Sequence, residues 1–268
     1  MDCENIKKFA MAESRKRRDS FENIVGNFED RGILNSEMLA VCAVSEGLGV
    51  EVFIESGRWR GQSTEMLSKY FEGKPVIIES IEVFRDENAL YVERKMKSRK
   101  NVRLRYGDAN RVVPWLAKKY AGKKIAVLFD GPKGGPAIDI FRLSLARTSS
   151  IVAGFFHDMR RPTEDMPNVS RREMEDAFPN SFYTDDEDFV REFGALDENC
   201  QVALWRPYSI DGRKIGSYGP TIGLTLPVSR DSAQARRDIV RLIVNVVLRR
   251  CFLLGVKGYH FVRSRIRL

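Results

Sequence analysis

The chain has 268 residues, 43% hydrophobic and 31% charged, enough to bury a substantial core and stay soluble as one large domain with appendages. Its four cysteines (Cys3, Cys42, Cys200, Cys251) and two histidines (His157, His260) form no CxxC or Cys/His cluster, which excludes a structural zinc framework and implies a reducing, cytoplasmic setting. The net charge of +8 has one source: residues 230–268 hold ten Lys or Arg against two Asp or Glu, so residues 1–229 are balanced.

Residues 1–34 read as a charged amphipathic helical extension, and the polar opening MDCENIKKFAMAESRKRR does not read as a secretory leader. Asn35-Ser36 can cap a helix through MLAVCAVSEGL that Gly47 and Gly49 end. Five strands then alternate with helices. VEVFI (50–54) leads through the loop ESGRWRGQS to a helix over 62–71. VIIESIE (76–82) leads to a helix over 87–100, and NVRLRY (101–106) leads through Gly-Asp-Ala to a helix over 112–120. KIAVLF (124–129) leads through DGPKG to a helix over 137–148, and SIVAGFF (150–156) ends at His157-Asp158. Such alternation implies a Rossmann-like α/β fold with a parallel sheet and helices on both faces. A polar, partly helical stretch follows over 160–199. Two further strands, 201–208 and 220–227, predict an antiparallel C-terminal pair and a seven-stranded sheet in a domain of residues 35–229.

The remaining segment, 230–268, is apolar and basic at once: thirteen of the eighteen residues from Ile239 to Val256 are Ile, Val, Leu, Phe or Cys. Arg241, Arg249 and Arg250 in its middle argue against a membrane span. A homodimer helix, a helix docked on the core and an anionic membrane surface stay open, the last placing the protein at the inner face of a membrane. Nucleic acid is disfavoured, since only Tyr259 and Phe261 interleave aromatic with basic residues.

Ligands of an open parallel sheet bind outside the carboxyl ends of its strands, and here an acid stands at all five. Gly57 permits a sharp turn close to a ligand, and Gly61 opens a helix with free N–H groups. The middle glycine of G-x-G-x-x-G is missing, so the pyrophosphate fingerprint of a nicotinamide oxidoreductase fails. Glu55 would repel phosphate and attract an ammonium. Glu82, with Glu79 as its rival, can accept two ribose hydroxyls, and Asp108 can accept from an adenine amino group. This set prefers a nucleoside carrying a cationic amino acid over one carrying phosphates.

The order E-x-G-x-x-x-G-x-S (Glu55, Gly57, Gly61, Ser63), an acid ending strand two, Gly-Asp-Ala (Asp108, Ala109) and D-G-P-K resembles class I S-adenosylmethionine-dependent methyltransferases, in spacing closest to the catechol and caffeoyl-CoA O-methyltransferase branch. The resemblance spans roughly residues 35–227. It implies S-adenosylmethionine as cofactor and a loop whose middle, Arg58-Trp59-Arg60, is free to line the cleft. Trp59 is expected beside the methionine or adenine and one arginine on an anionic substrate. It also implies Asp130 and Lys133 as the D-x-x-K pair, with Asp130 contacting cofactor and metal, Lys133 as base, and Asp158 as second ligand of a magnesium-like ion. Met159 stands where that branch has an asparagine ligand. The leading expectation is O-methylation of a small-molecule or sugar-like acceptor. The alternatives are a metal-free methyltransferase with His157 or Lys133 as base, and a non-catalytic cofactor-binding protein acting through its basic tail.

Overall fold

The computed structural model describes residues 2–24, 32–159, 169–198 and 221–227, together with the backbone of 209–210 and 213–214. The expectations for residues 230–268 and for a strand over 201–208 lie outside the described residues.

Two helices, α1 (Cys3–Glu22) and α2 (Asn35–Gly47), precede the sheet. Strand and helix then alternate through β1 (Val52–Ser56), α3 (Gln62–Tyr70), β2 (Ile77–Glu82), α4 (Glu87–Met96), β3 (Val102–Tyr106), α5 (Ala109–Lys119), β4 (Ile125–Phe129), α6 (Gly135–Leu145) and β5 (Ile151–Phe156). After them come α7 (Val169–Ala177), β6 (Phe182–Tyr183), α8 (Glu187–Phe193), a 3-10 turn (Gly194–Asp197), β7 (Ser209–Ile210), β8 (Arg213–Lys214) and β9 (Gly223–Thr225).

Seven strands form one sheet in the order β3-β2-β1-β4-β5-β9-β6, and β7 and β8 pair separately. β1 to β5 are parallel, and β9 runs antiparallel between β5 and β6. This is the Rossmann-like α/β fold that the alternation implies. Every residue of β1 and β4 is buried, as expected of strands covered on both faces. The period of two divides the core. Phe53, Leu128 and Phe155 pack with α1, α2, α3 and α8. Val52, Ile54, Val127 and Phe129 pack with α5, α6 and α7. α1 buries Ile6, Ala10 and Phe21 in the first of these clusters.

The last strand is antiparallel, as expected, and its neighbours among the described residues are β5 and β6, the latter in the register Phe182↔Leu224 and Tyr183↔Gly223. β6 is two residues long, too short for any period to show in the sequence, and it lies about 40 residues upstream. Among the described residues no helix is long and apolar enough to cross a membrane.

Candidate active site

The chain leaves β1 toward β2 and β3 and returns on the other side at β4, so the switch point of the sheet lies between β1 and β4. Main-chain bonds close the loops there. The N–H groups of Asp130 and Gly131 both donate to the Ser56 carbonyl at 2.8 Å, and Gly57 N–H donates to Ile81 O at 3.0 Å. Gly57 has φ +82°, and a Cβ on it would lie 2.5 Å from Gly131 N. The β1 and β4 loops thus touch through a position only glycine fills.

On the β2 side, Glu82 is half-buried. Its Oε2 accepts the N–H groups of Trp59 (3.0 Å) and Arg58 (3.3 Å), and its Oε1 accepts Val83 N–H at 2.7 Å. Glu79, the rival for the ribose, is fully buried among Arg105 (2.7 Å), Tyr120 (2.5 Å), Arg103 and Lys119. It belongs to a structural charge cluster, and Glu82 is the acid at the mouth. Asp108 is exposed and caps α5 through Asn110 N–H at 2.9 Å, with Ala109 buried behind it.

Glu55 departs from its expected role. Its carboxylate is fully buried and accepts hydroxyls from Ser63, Thr64 and Ser80 at 2.5–2.6 Å. Burial pushes its pKa up, with the three hydroxyls pulling the other way. Glu55 and Ser63 therefore clamp the first turn of α3 to β2, and neither carboxylate nor hydroxyl is offered to a ligand. The two loop arginines also part company. Arg58 is 2% exposed, with its guanidinium 4.7 Å from the Tyr106 ring centre. Arg60 lies 5.6 Å over the Tyr91 ring of α4. Trp59, at φ +41°, leaves its side chain partly in solvent, 41% exposed.

Beyond β4 and β5 the expected residues do come together. His157 Nδ1 lies 2.6 Å from Asp130 Oδ1 and 2.9 Å from Lys133 Nζ. Lys133 bonds Asp130 directly and lies 2.9 Å from Asp158 Oδ2. Burial alone would lower the Lys133 pKa, but Asp130 and Asp158 outweigh it and hold it raised. Burial and Lys133 would lower that of His157, but Asp130, Glu37 and Asp158 raise it. Burial would raise the Asp130 and Asp158 carboxyls, yet the adjacent cations keep both below the ordinary range. A lysine base needs a lowered pKa; this one is a protonated clamp between two carboxylates, which corrects the expectation of Lys133 as a ready base.

The donor set does not fit a divalent cation. The Lys133 ammonium already sits between the Asp130 and Asp158 carboxylates, and Met159 turns its side chain into the core at 1% exposure. A hard cation needs several oxygen ligands, and among the described residues no group of three His, Cys, Asp or Glu side chains is placed to supply them.

Two buried acids, Glu37 and Asp197, escaped the sequence reading, and it misplaced Arg58. Arg58 was expected in the open cleft. Glu37, fully buried on α2, lies 3.7 Å from His157 Nε2 and accepts from Leu34 N–H (2.8 Å) and from Thr221. Asp197 caps α2 from the 3-10 turn, accepting Ser36 N–H at 2.9 Å. Only Glu37 left a signal, as an acid in the first turn of α2, directly before its apolar run.

No protein-family model and no curated protein matches the chain. Solved structures of similar outline include the O-methyltransferase TomG of Streptomyces achromogenes, involved in tomaymycin synthesis and bound to S-adenosylmethionine. It is 14% identical at a TM-score of 0.48, over 82% of this chain and 90% of that one. An O-methyltransferase of Bacillus cereus in complex with S-adenosylhomocysteine is 12% identical at 0.40, over 81% and 91%. Aeropyrum pernix fibrillarin with bound S-adenosylmethionine is 15% identical at 0.37, over 47% and 54%. Likeness at this level leaves activity to be argued from the site.

Proposed function

We propose that the chain is an S-adenosylmethionine-dependent methyltransferase that methylates oxygen on a small-molecule or sugar-like acceptor without a metal ion. The observation that carries this reading is the pairing of two half-sites across the switch point. A nucleoside side holds Glu82 and Asp108, and a reaction side gathers Asp130, Lys133, His157 and Asp158; they meet at the Gly57–Gly131 contact. The assembled charge cluster argues against a non-catalytic role.

The residues fit the cofactor. Glu82 and Asp108 would hold the nucleoside, and carboxylates at that position disfavour a phosphate there. When bound, S-adenosylmethionine supplies an electrophilic methyl group. The chain's part is orientation and proton handling. Asp158 is ionised and 42% exposed, so it is the carboxylate an incoming hydroxyl reaches. It accepts the hydroxyl proton, which grows strongly acidic as that oxygen is methylated, so a carboxylate of low pKa suffices, and the Lys133 ammonium holds that carboxylate in place. His157 holds Asp130, and Asp130 holds Lys133 in place.

The test is calorimetric titration with S-adenosylhomocysteine, NAD serving as control, with and without EDTA. Micromolar binding that EDTA does not change and Glu82→Ala weakens by about tenfold or more is the expected result. Binding of NAD instead, or of neither, refutes the reading.

A further inference from the structure

The loop after β1 carries an arginine where a tight turn needs only a small residue, and that arginine is one of the largest fully buried side chains described. Its Nη1 donates to the carbonyls of Ser80 (2.8 Å) and Arg105 (3.0 Å), which belong to β2 and β3. The guanidinium plane is backed by Tyr106. Nε and Nη2 are buried with no acceptor at hydrogen-bonding geometry among the described residues. Burying donors unpaired is costly, so tying down the turn alone would be better served by a smaller side chain. What this anchor achieves lies in its main chain. The Arg58 and Trp59 N–H groups converge on Glu82 Oε2, and Trp59 adopts a left-handed backbone that a non-glycine residue holds only under constraint.

We infer that Arg58 is the positioning residue of the nucleoside side: its buried guanidinium fixes the loop so that two main-chain N–H groups hold the Glu82 carboxylate for a ribose hydroxyl. Oε2 is occupied by the loop and Oε1 takes one bond from Val83 N–H, which leaves a lone pair of Oε1 for the ligand. Arg58 acts through Glu82 and touches no ligand atom. The inference rests on the nucleoside reading of the site.

The test compares the affinity of S-adenosylhomocysteine with that of its 2′-deoxy and 3′-deoxy analogues in the full chain. Wild type should discriminate against at least one analogue by about tenfold or more, the scale of a hydrogen bond to a charged group. In Arg58→Gln that discrimination should fall to within about threefold while the affinity for the disfavoured analogue is nearly unchanged. In Glu82→Gln the same collapse is expected, and combining the two substitutions should add nothing. If Arg58→Gln does not fold, Arg58→Lys, which keeps the charge but lacks the guanidinium plane that rests on Tyr106, carries the same comparison. Equal weakening of all three ligands would mean a structural role only and overturn the inference, as would unchanged discrimination. Wild type that binds none of them would instead refute the nucleoside reading itself.

Discussion

The Lys133 ammonium stands between two carboxylates, with Nζ 2.9 Å from Asp158 Oδ2 on one side and bonded to Asp130 on the other. It fills the space between the two carboxylates, and Met159 beside them is packed into the core. Replacing Lys133 should therefore act on chemistry. Lys133→Met is expected to lower kcat by about 10²-fold, the low end of what acid–base groups contribute, with S-adenosylhomocysteine affinity within a few-fold of wild type. EDTA should leave turnover unchanged. Recovery of the variant by added magnesium would contradict the clamp.

Gly57 offers a second handle. At φ +82° a side chain costs about 1–2 kcal/mol for the left-handed backbone, and its Cβ would also press on Gly131 N at 2.5 Å. Gly57→Ala should lose about 1–3 kcal/mol in urea unfolding and bind S-adenosylhomocysteine at least about tenfold more weakly, since the β1 and β4 loops must separate. Gly73→Ala is the control. Its φ is +76° but nothing lies within 4 Å of the added Cβ, so it should lose only backbone stability and no affinity.

What the sequence made legible follows a physical division. Asp130, His157 and Asp158 could be named because a polar group at the end of a buried parallel strand has one place to go, the carboxyl edge of the sheet. The five-fold strand and helix alternation was legible for the same reason. The burial of Arg58 and the places of Glu37 and Asp197 were not, because each depends on a contact distant in the chain: Arg105, His157 and Ser36 respectively. Glu55 shows the opposite failure. Its motif position is right, but hydroxyls from Ser63, Thr64 and Ser80 close over it, and no local pattern announces three hydroxyls converging on one carboxylate.

The two acids of β2 should separate by phenotype. Glu79 bonds Arg105 and Tyr120 from a fully buried position. Glu79→Gln is expected to cost about 2 kcal/mol in stability, less than a fully buried ion pair because Arg105 is partly exposed, with ligand affinity unchanged. Glu82→Gln should barely alter stability and raise the Kd for S-adenosylhomocysteine about tenfold. Chemical denaturation and calorimetry on the same two variants check both halves, and a swap of phenotypes would make Glu79 the ribose acid.

Asp197 contributes to the pH dependence of folding in the same sense as the buried carboxyls of Glu37 and Glu55, which burial also raises. Asp197 is 5% exposed; burial pushes its carboxyl up to about 7 and Glu37 adds to the rise, against the pull of Ser36. The ordinary value is 3.8. Between those two values the folded chain holds a proton that the unfolded chain has released, so stability falls as pH rises across that window. It is fully present below the lower value and lost above the upper. At about 1.4 kcal/mol per unit, the loss reaches about 4 kcal/mol at most. Carboxylates held low, such as Glu79, act in the opposite sense at more acid pH, so the comparison belongs between pH 5 and pH 8. Wild type should show a lower urea midpoint at pH 8 than at pH 5. Asp197→Asn, which cannot ionise and still accepts the Ser36 N–H, should narrow that gap, with Glu37 and Glu55 accounting for what remains. An equal gap in both proteins would mean that Asp197 already ionises at pH 5 in the folded chain.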